Sequence, residues 1–131
     1  MTRFRLLLIF CLTACLHSTH ITYAQASGSF EAKIAEVYGA YQSQLTEEQL
    51  AWISNCLGRC SVSEQPYVAG EALKNLSALS LNKKFVSTLA YDTGYDAGNF
   101  NPLKYNINFF LKKDQYFRIF NTGYVLKVSK K

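Results

Sequence analysis

The chain has 131 residues, about half of them apolar, with two histidines, four cysteines and a net charge of +5. A chain of that length builds one compact core and not two. Two histidines leave little room for imidazole catalysis or zinc binding, and a charge of +5 is well short of the dense basic groove of a nucleic-acid binder.

The N-terminus reads Met-Thr-Arg-Phe-Arg and continues into an apolar run from Leu6 to Leu16. The run is too short to cross a bilayer, which takes about 20 apolar residues in a helix. A short basic start followed by such a run is the layout of an export signal. Ala24-Gln25-Ala26 offers the small side chains that a signal peptidase accepts, which places the signal peptide at residues 1–26 and the mature chain at 27–131. Leu12-Thr13-Ala14-Cys15 offers a second exit, because it resembles a bacterial lipobox in which Cys15 is lipidated. The two exits exclude one another. The first predicts a periplasmic or secreted protein and the second an outer-membrane lipoprotein.

Cleavage after Ala26 leaves 105 residues with twelve basic and nine acidic side chains, a balance of +3. His17 and His20 go with the signal, so the domain has no imidazole for a Ser/His or Cys/His pair. Cys56 and Cys60 are then the remaining thiols, in a compartment where disulfides persist, and a bond between them is predicted. The loop it closes is so short that the entropic gain is only about 2 kcal/mol. CxxxC spacing differs from the CxxC of thioredoxin-like redox sites, and no further thiol or His completes a metal site.

Phe30, Ile34, Val37, Tyr38, Tyr41 and Leu45 fall on one stripe of an amphipathic helix. Gly39 weakens that helix by about 1 kcal/mol relative to Ala. Thr46-Glu47-Glu48-Gln49 reads as a capping box that opens a second helix, with Leu50, Ile53 and Leu57 on its apolar stripe and Gly58 to end it. The two together predict an N-terminal helical hairpin.

Residues 61–99 carry weaker signals. Glu71–Leu79 suits a short helix or an extended segment, Phe85–Tyr91 suits a strand, and Tyr91–Pro102 has the Gly, Asp and Asn content of a loop. In that loop Asp92-Thr93-Gly94 matches the tripeptide of aspartic proteases, which need two such carboxylates on all-β lobes. One copy, followed by the bulky Tyr95, is better explained by turn chemistry. Asp92, Asp96 and Asn99 carry calcium-type oxygens but lack EF-hand spacing, since Gly94 stands at the third position and no later Glu follows. Asn75-Leu76-Ser77 is a glycosylation sequon only in a eukaryotic source, against which the lipobox argues.

From Phe100 to Val128 the pattern becomes period two: Tyr105, Ile107 and Phe109, then Tyr124, Leu126 and Val128, with Gln115–Phe120 between them. Asn121-Thr122-Gly123 supplies a hairpin loop with Gly at the left-handed position. The prediction is an α+β domain, with the helical hairpin packed on a C-terminal three-stranded, or four-stranded, antiparallel sheet. The opposite parity gathers Lys104, Asn106, Asn108, Tyr116, Arg118 and Lys127 on one basic, aromatic face. Antiparallel sheets commonly turn one face to water, so such a face needs no ligand. Charge still separates along the chain: residues 27–99 hold five basic and eight acidic side chains, residues 100–131 seven basic side chains against Asp114 alone. That asymmetry steers acidic partners to the sheet or, equally, discourages edge-to-edge aggregation.

Phe100–Tyr105 (FNPLKY), the Gln115–Val128 hairpin and the LTEEQLAWI helix start resemble small uncharacterised exported proteins of Bacteroidetes-type bacteria. The resemblance implies the exported compartment and no activity. The expected function is a non-enzymatic envelope or secreted binding protein without a cofactor. Its partner is a protein or an acidic cell-surface glycan, met through Lys104, Tyr116, Arg118 and Lys127; membrane contact comes only through a lipid on Cys15. Replacing all four contact residues by Ala is expected to abolish a salt-sensitive interaction and to leave the thermal midpoint nearly unchanged. The competing expectation is a small carboxylate-dependent hydrolase using Asp92 and Asp96.

Overall fold

A computed structural model describes residues 29–131. The signal peptide, the lipobox with Cys15, His17, His20 and the cleavage site at Ala26 lie outside the described residues. Two α-helices, α1 (Phe30–Tyr38) and α2 (Glu47–Gly58), precede a four-stranded sheet of β1 (Cys60–Glu64), β2 (Lys74–Asn75), β3 (Gln115–Arg118) and β4 (Tyr124–Val128). The domain is α+β, as its periodicities predict.

Helix α1 starts where the Ala32 N–H donates to the Ser29 hydroxyl at 3.1 Å, an N-cap that satisfies one of the free donors of the first turn. It ends at Tyr38 rather than running on to Leu45. Gly39 takes φ +52°, and a β-carbon there would lie 3.0 Å from Val86 Cγ2, so the chain bends where only glycine fits. A 3₁₀ segment, Gly39–Gln44, follows. Helix α2 opens on the predicted capping box: the Gln49 N–H donates to Thr46 Oγ1 at 3.2 Å, and the Thr46 N–H donates to Gln49 Oε1 at 2.9 Å. The helices lie mid-chain and do not form an N-terminal hairpin. Instead α1 packs on a 3₁₀ turn at Pro102–Lys104 and α2 on β1. Ile34, Val37, Ile53 and Leu103 form the cluster in which the two helices meet.

The sheet order is β1-β4-β3-β2. β1 and β3 flank β4 antiparallel, with Val62 opposite Leu126 and Tyr116 opposite Lys127. β2 runs parallel to β3, so the sheet is mixed and not purely antiparallel. The expected strand at Tyr105–Phe109 is absent from it. Asn101 Oδ1 accepts the Leu103 N–H at 3.1 Å and caps the Pro102–Lys104 turn, after which Tyr105 makes a single bridge to Leu81. β2 lies beside β3, where that strand was expected, and β1 adds to the other side of β4, entering the sheet directly from the end of α2. Phe85–Tyr91 is turn and bend rather than strand.

The β3–β4 loop also departs from expectation. It closes through Ile119 N–H to Tyr124 O at 3.0 Å, and Phe120 takes the positive φ, +49°. Gly123 is not left-handed: the left-handed residue falls three positions earlier, at Phe120, and Thr122 Oγ1 donates back to Ile119 O. Against the inner face of the sheet lie Leu76, Leu81, Leu89, Phe100, Tyr105 and Ile107, packed with Phe117, Ile119, Leu126 and Val128.

Candidate functional site

Strands β3 and β4 set the first part of the outer face. Tyr116 and Lys127 are direct cross-strand partners, with the Lys127 ammonium 5.8 Å from the Tyr116 ring centroid. Tyr116 is 43 % exposed. Lys127 is held by Asp114 at 3.2 Å, which raises the lysine above its ordinary range. Asp114 sits below its own range because it accepts the Lys130 backbone N–H and faces Lys127.

Arg118 follows Tyr116 on the same side of β3, but only 3 % of its surface is exposed. Its guanidinium grips Glu71 with two N–H groups, Nε to Oε1 at 2.6 Å and Nη2 to Oε2, and a third N–H reaches the Gln65 carbonyl. That fork is the bidentate geometry arginine is built for, and it holds Glu71 below the usual carboxylate range. The same guanidinium carbon lies 5.9 Å from the Tyr67 ring. Arg118 is therefore a support that pins the 65–71 loop, and what the loop presents to solvent is Tyr67 and Val68, 66 % and 65 % exposed.

Lys104 is not on this face. It lies in the 3₁₀ turn, 5 % exposed, with its ammonium 2.6 Å from Asp92 Oδ1 and 3.4 Å from Glu36 Oε1. The expected placement on the sheet fails because residues 105–109 form no sheet strand and Lys104 belongs to the capped turn before them. The Tyr105 hydroxyl donates to Asp92 Oδ2 at 2.5 Å, while Asn101 Nδ2 donates to Glu36 Oε2 and to Lys33 O, both at 2.9 Å. Burial and the Asp92 carboxylate push the Tyr105 phenol far above its ordinary value, so it stays a hydrogen donor. Lys33 is driven down by burial and donates to Phe100 O at 2.8 Å. This interior network ties α1 to the loop that precedes β3. With Lys104 and Arg118 both buried in ion pairs, a quadruple Ala variant cannot leave the thermal midpoint unchanged.

Asp92 and Asp96 line one cleft, of about 250 Å³, together with Tyr95, Asn99 and Phe100. Their four carboxylate oxygens are all engaged. Asp92 accepts from Lys104 and Tyr105, and Asp96 accepts from Gly98 N at 2.9 Å and Asn99 Nδ2 at 2.5 Å. Among the described residues no group of three or more His, Cys, Asp or Glu is placed to hold a metal ion.

Cys56 and Cys60 are free thiols in the structure, without the predicted bond. Cys60 Sγ donates to Cys56 O at 3.4 Å, and Arg59 Nη2 lies 3.7 Å from Cys56 Sγ. Burial pushes Cys56 up and Cys60 up to about 12.

Two exposed features escape the sequence reading. One is Tyr67-Val68, hidden in a stretch with no periodicity. The other is Phe110, 65 % exposed and stacked on Trp52 with ring centroids 4.9 Å apart. The signal for Phe110 is present in the sequence, since an apolar residue at polar parity, two residues before Lys112-Lys113, is out of place in a half-buried pattern. Among the described residues no helix is long and apolar enough to cross a membrane. No protein-family model, curated protein or solved structure matches the chain.

Proposed function

We propose that the chain is an exported, non-enzymatic binding protein whose contact face is built from Tyr67, Val68, Tyr116 and Lys127. The observation that carries this reading is the pair of exposed tyrosines, 66 % and 43 %, each held beside a cation whose own position is fixed by an acidic partner. Large, rigid, amphipathic side chains give contact area at low entropic cost, which is why tyrosine and arginine concentrate in binding hot spots. Lys127 and the positive balance of residues 100–131 favour an acidic partner, a protein or a cell-surface glycan. Export through residues 1–26, or lipidation at Cys15, and oxidation of Cys56 with Cys60 belong to the same reading.

The competing carboxylate hydrolase is disfavoured because each carboxylate is already used in local structure, Asp92 in an ion pair with Lys104 and a hydrogen bond from Tyr105, Asp96 in its own turn with Gly98 and Asn99. A hydrolytic activity at acidic pH that disappears in Asp92→Asn would restore it.

Amide shift mapping tests the binding reading, with oligogalacturonate and a polyglutamate peptide as probes. At least one probe is expected to move amides of β3, β4 and residues 65–71 in a salt-sensitive way, and the Tyr67→Ala/Tyr116→Ala/Lys127→Ala variant is expected to bind it at least about tenfold more weakly with an unchanged fold. Shifts confined to other surfaces, or equal binding by the variant, would overturn the assignment.

A further inference from the structure

A second surface shares no residue with the tyrosine face. Phe110 projects from the segment between the Pro102–Lys104 turn and β3, and it is held from the side of the domain. Its N–H donates to Asn108 Oδ1 at 3.0 Å, and its ring lies on Trp52 at an interplanar angle of 22°. The Lys131 ammonium is 5.4 Å from both ring centroids. Arg59 lies 5.7 Å from Trp52 and from Phe109, anchored by Nη2 to Phe109 O at 3.0 Å. A large apolar side chain that is rigidly mounted and still 65 % exposed carries no folding benefit at its tip.

The charge on the two chain segments beside it is mostly positive. Lys112 and Lys113 follow Phe110 by two and three residues. Lys131 is drawn alongside by its backbone N–H to Leu111 O at 3.1 Å, and Lys130 by its N–H to Asp114 Oδ1 at 2.9 Å. All four lysines are exposed. Asp114, the acid in these two segments, is already taken by Lys127.

We infer that Phe110, mounted on Trp52 beside Lys131, with the exposed Lys112, Lys113 and Lys130 on the same two segments, is the anchor by which the folded domain docks on an anionic phospholipid surface. An aromatic side chain gains at the headgroup boundary by leaving water, while flexible lysines keep their ammonium groups at the phosphates. A sugar partner fits this patch less well. Sugars stack on an open ring face and take forked hydrogen bonds, whereas Trp52 is already contacted by Phe110, Arg59 and Lys131, and lysines offer point charges. The inference extends membrane contact from Cys15 to the folded domain, and it does not depend on the tyrosine face.

Trp52 is the chain's single tryptophan, so its fluorescence reports this patch alone. The test is quenching of Trp52 in the full chain by brominated acyl chains, in vesicles of equimolar phosphatidylcholine and phosphatidylglycerol and in vesicles of phosphatidylcholine alone. Because the quencher sits in the bilayer and the reporter beneath Phe110, attachment through the N-terminus does not imitate the signal. Quenching is expected only with the anionic vesicles and is expected to weaken at high salt. Phe110→Ser is expected to reduce apparent affinity at this site at least about tenfold, the scale set by withdrawing an aromatic side chain from water. Lys112→Glu/Lys113→Glu, on exposed positions that do not touch the core, is expected to abolish it. Absence of quenching in the wild-type chain, or quenching unchanged in either variant, would overturn the inference. Retention of a soluble polyanion such as heparin without vesicle binding would overturn it too, in favour of a glycan at this patch.

Discussion

Removing Asp92 tests the interior network directly. Its partner Lys104 has a side chain only 7 % exposed, while Asp92 itself is 23 % exposed and Glu36 39 %. Replacing Asp92 by Ala leaves a buried ammonium whose nearest carboxylate is Glu36 at 3.4 Å, and it takes the acceptor from the Tyr105 hydroxyl. Stripping one partner from a buried pair costs about 3–5 kcal/mol, and the remaining Glu36 places this case at the low end, about 3 kcal/mol. For a domain near 100 residues that lowers the thermal midpoint by roughly 12–24 °C. Lys104→Met should cost only about 1 kcal/mol, because the carboxylate left behind reaches water and keeps its tyrosine donor. The double variant Asp92→Ala/Lys104→Met should then be more stable than Asp92→Ala alone. Denaturant unfolding of the four proteins measures this cycle. If Asp92→Ala falls within about 1 kcal/mol of wild type, or the double variant shows no recovery, the network does not hold the loop as argued.

Gly39→Ala should destabilise the domain by about 1–3 kcal/mol, since the substituent must adopt φ +52° and press on Val86 Cγ2; an unchanged denaturation midpoint would contradict the close approach. Glu71 is held below the ordinary carboxylate range by Arg118, so the folded state binds fewer protons than the unfolded chain as pH falls. The stabilisation is fully present above the unfolded glutamate value, about 4.3, and is lost as pH drops through the lower folded value. Glu71→Gln should accordingly flatten the acid limb of the stability-pH profile, and an unaltered limb would refute it. With Cys60 pushed up to about 12 by burial, the reduced native protein should be alkylated by iodoacetamide at mildly alkaline pH far more slowly than the same chain in denaturant. The intact mass of the chain from its native cells, expected two hydrogen atoms lighter before reduction than after it, checks the proposed Cys56–Cys60 bond.

What the sequence made legible was mostly local. The capping box at Thr46–Gln49 needs only the residues it contains, and the β3–β4 pair is a sequence-adjacent hairpin whose alternation holds at Tyr116 and Lys127 and fails at Arg118 and Val125, both buried. Residues 105–109 show both the strength and the limit of the pattern. Tyr105 and Ile107 are buried while Asn106 and Asn108 face out, as the period demands, yet the segment makes one bridge to Leu81 and no ladder. Periodicity reports which side is wet, and it does not name the hydrogen-bond partner. β1 was hidden because Cys60–Glu64 is short, polar and an edge strand, recognisable only through its long-range pairing with β4. Parallel β2 consists of two residues and carries no pattern of its own. At the site, Tyr116 and Lys127 were legible as cross-strand neighbours. Arg118 and Lys104 look like contact residues in the sequence because it displays charge and conceals the partners, Glu71 and Asp92, that turn charge into structure.

The proposal at stake is that the tyrosine face meets a partner outside the cytoplasm. The most direct measurement replaces Tyr116, in cells that export the protein, with a photo-crosslinking phenylalanine analogue, and compares it with the same analogue at Asp96 in the cleft. Discrete light-dependent adducts from position 116, lost when Tyr67 and Lys127 are also changed to Ala, are the predicted result. Adducts from position 96 with none from position 116 would contradict the account and move the site to the cleft.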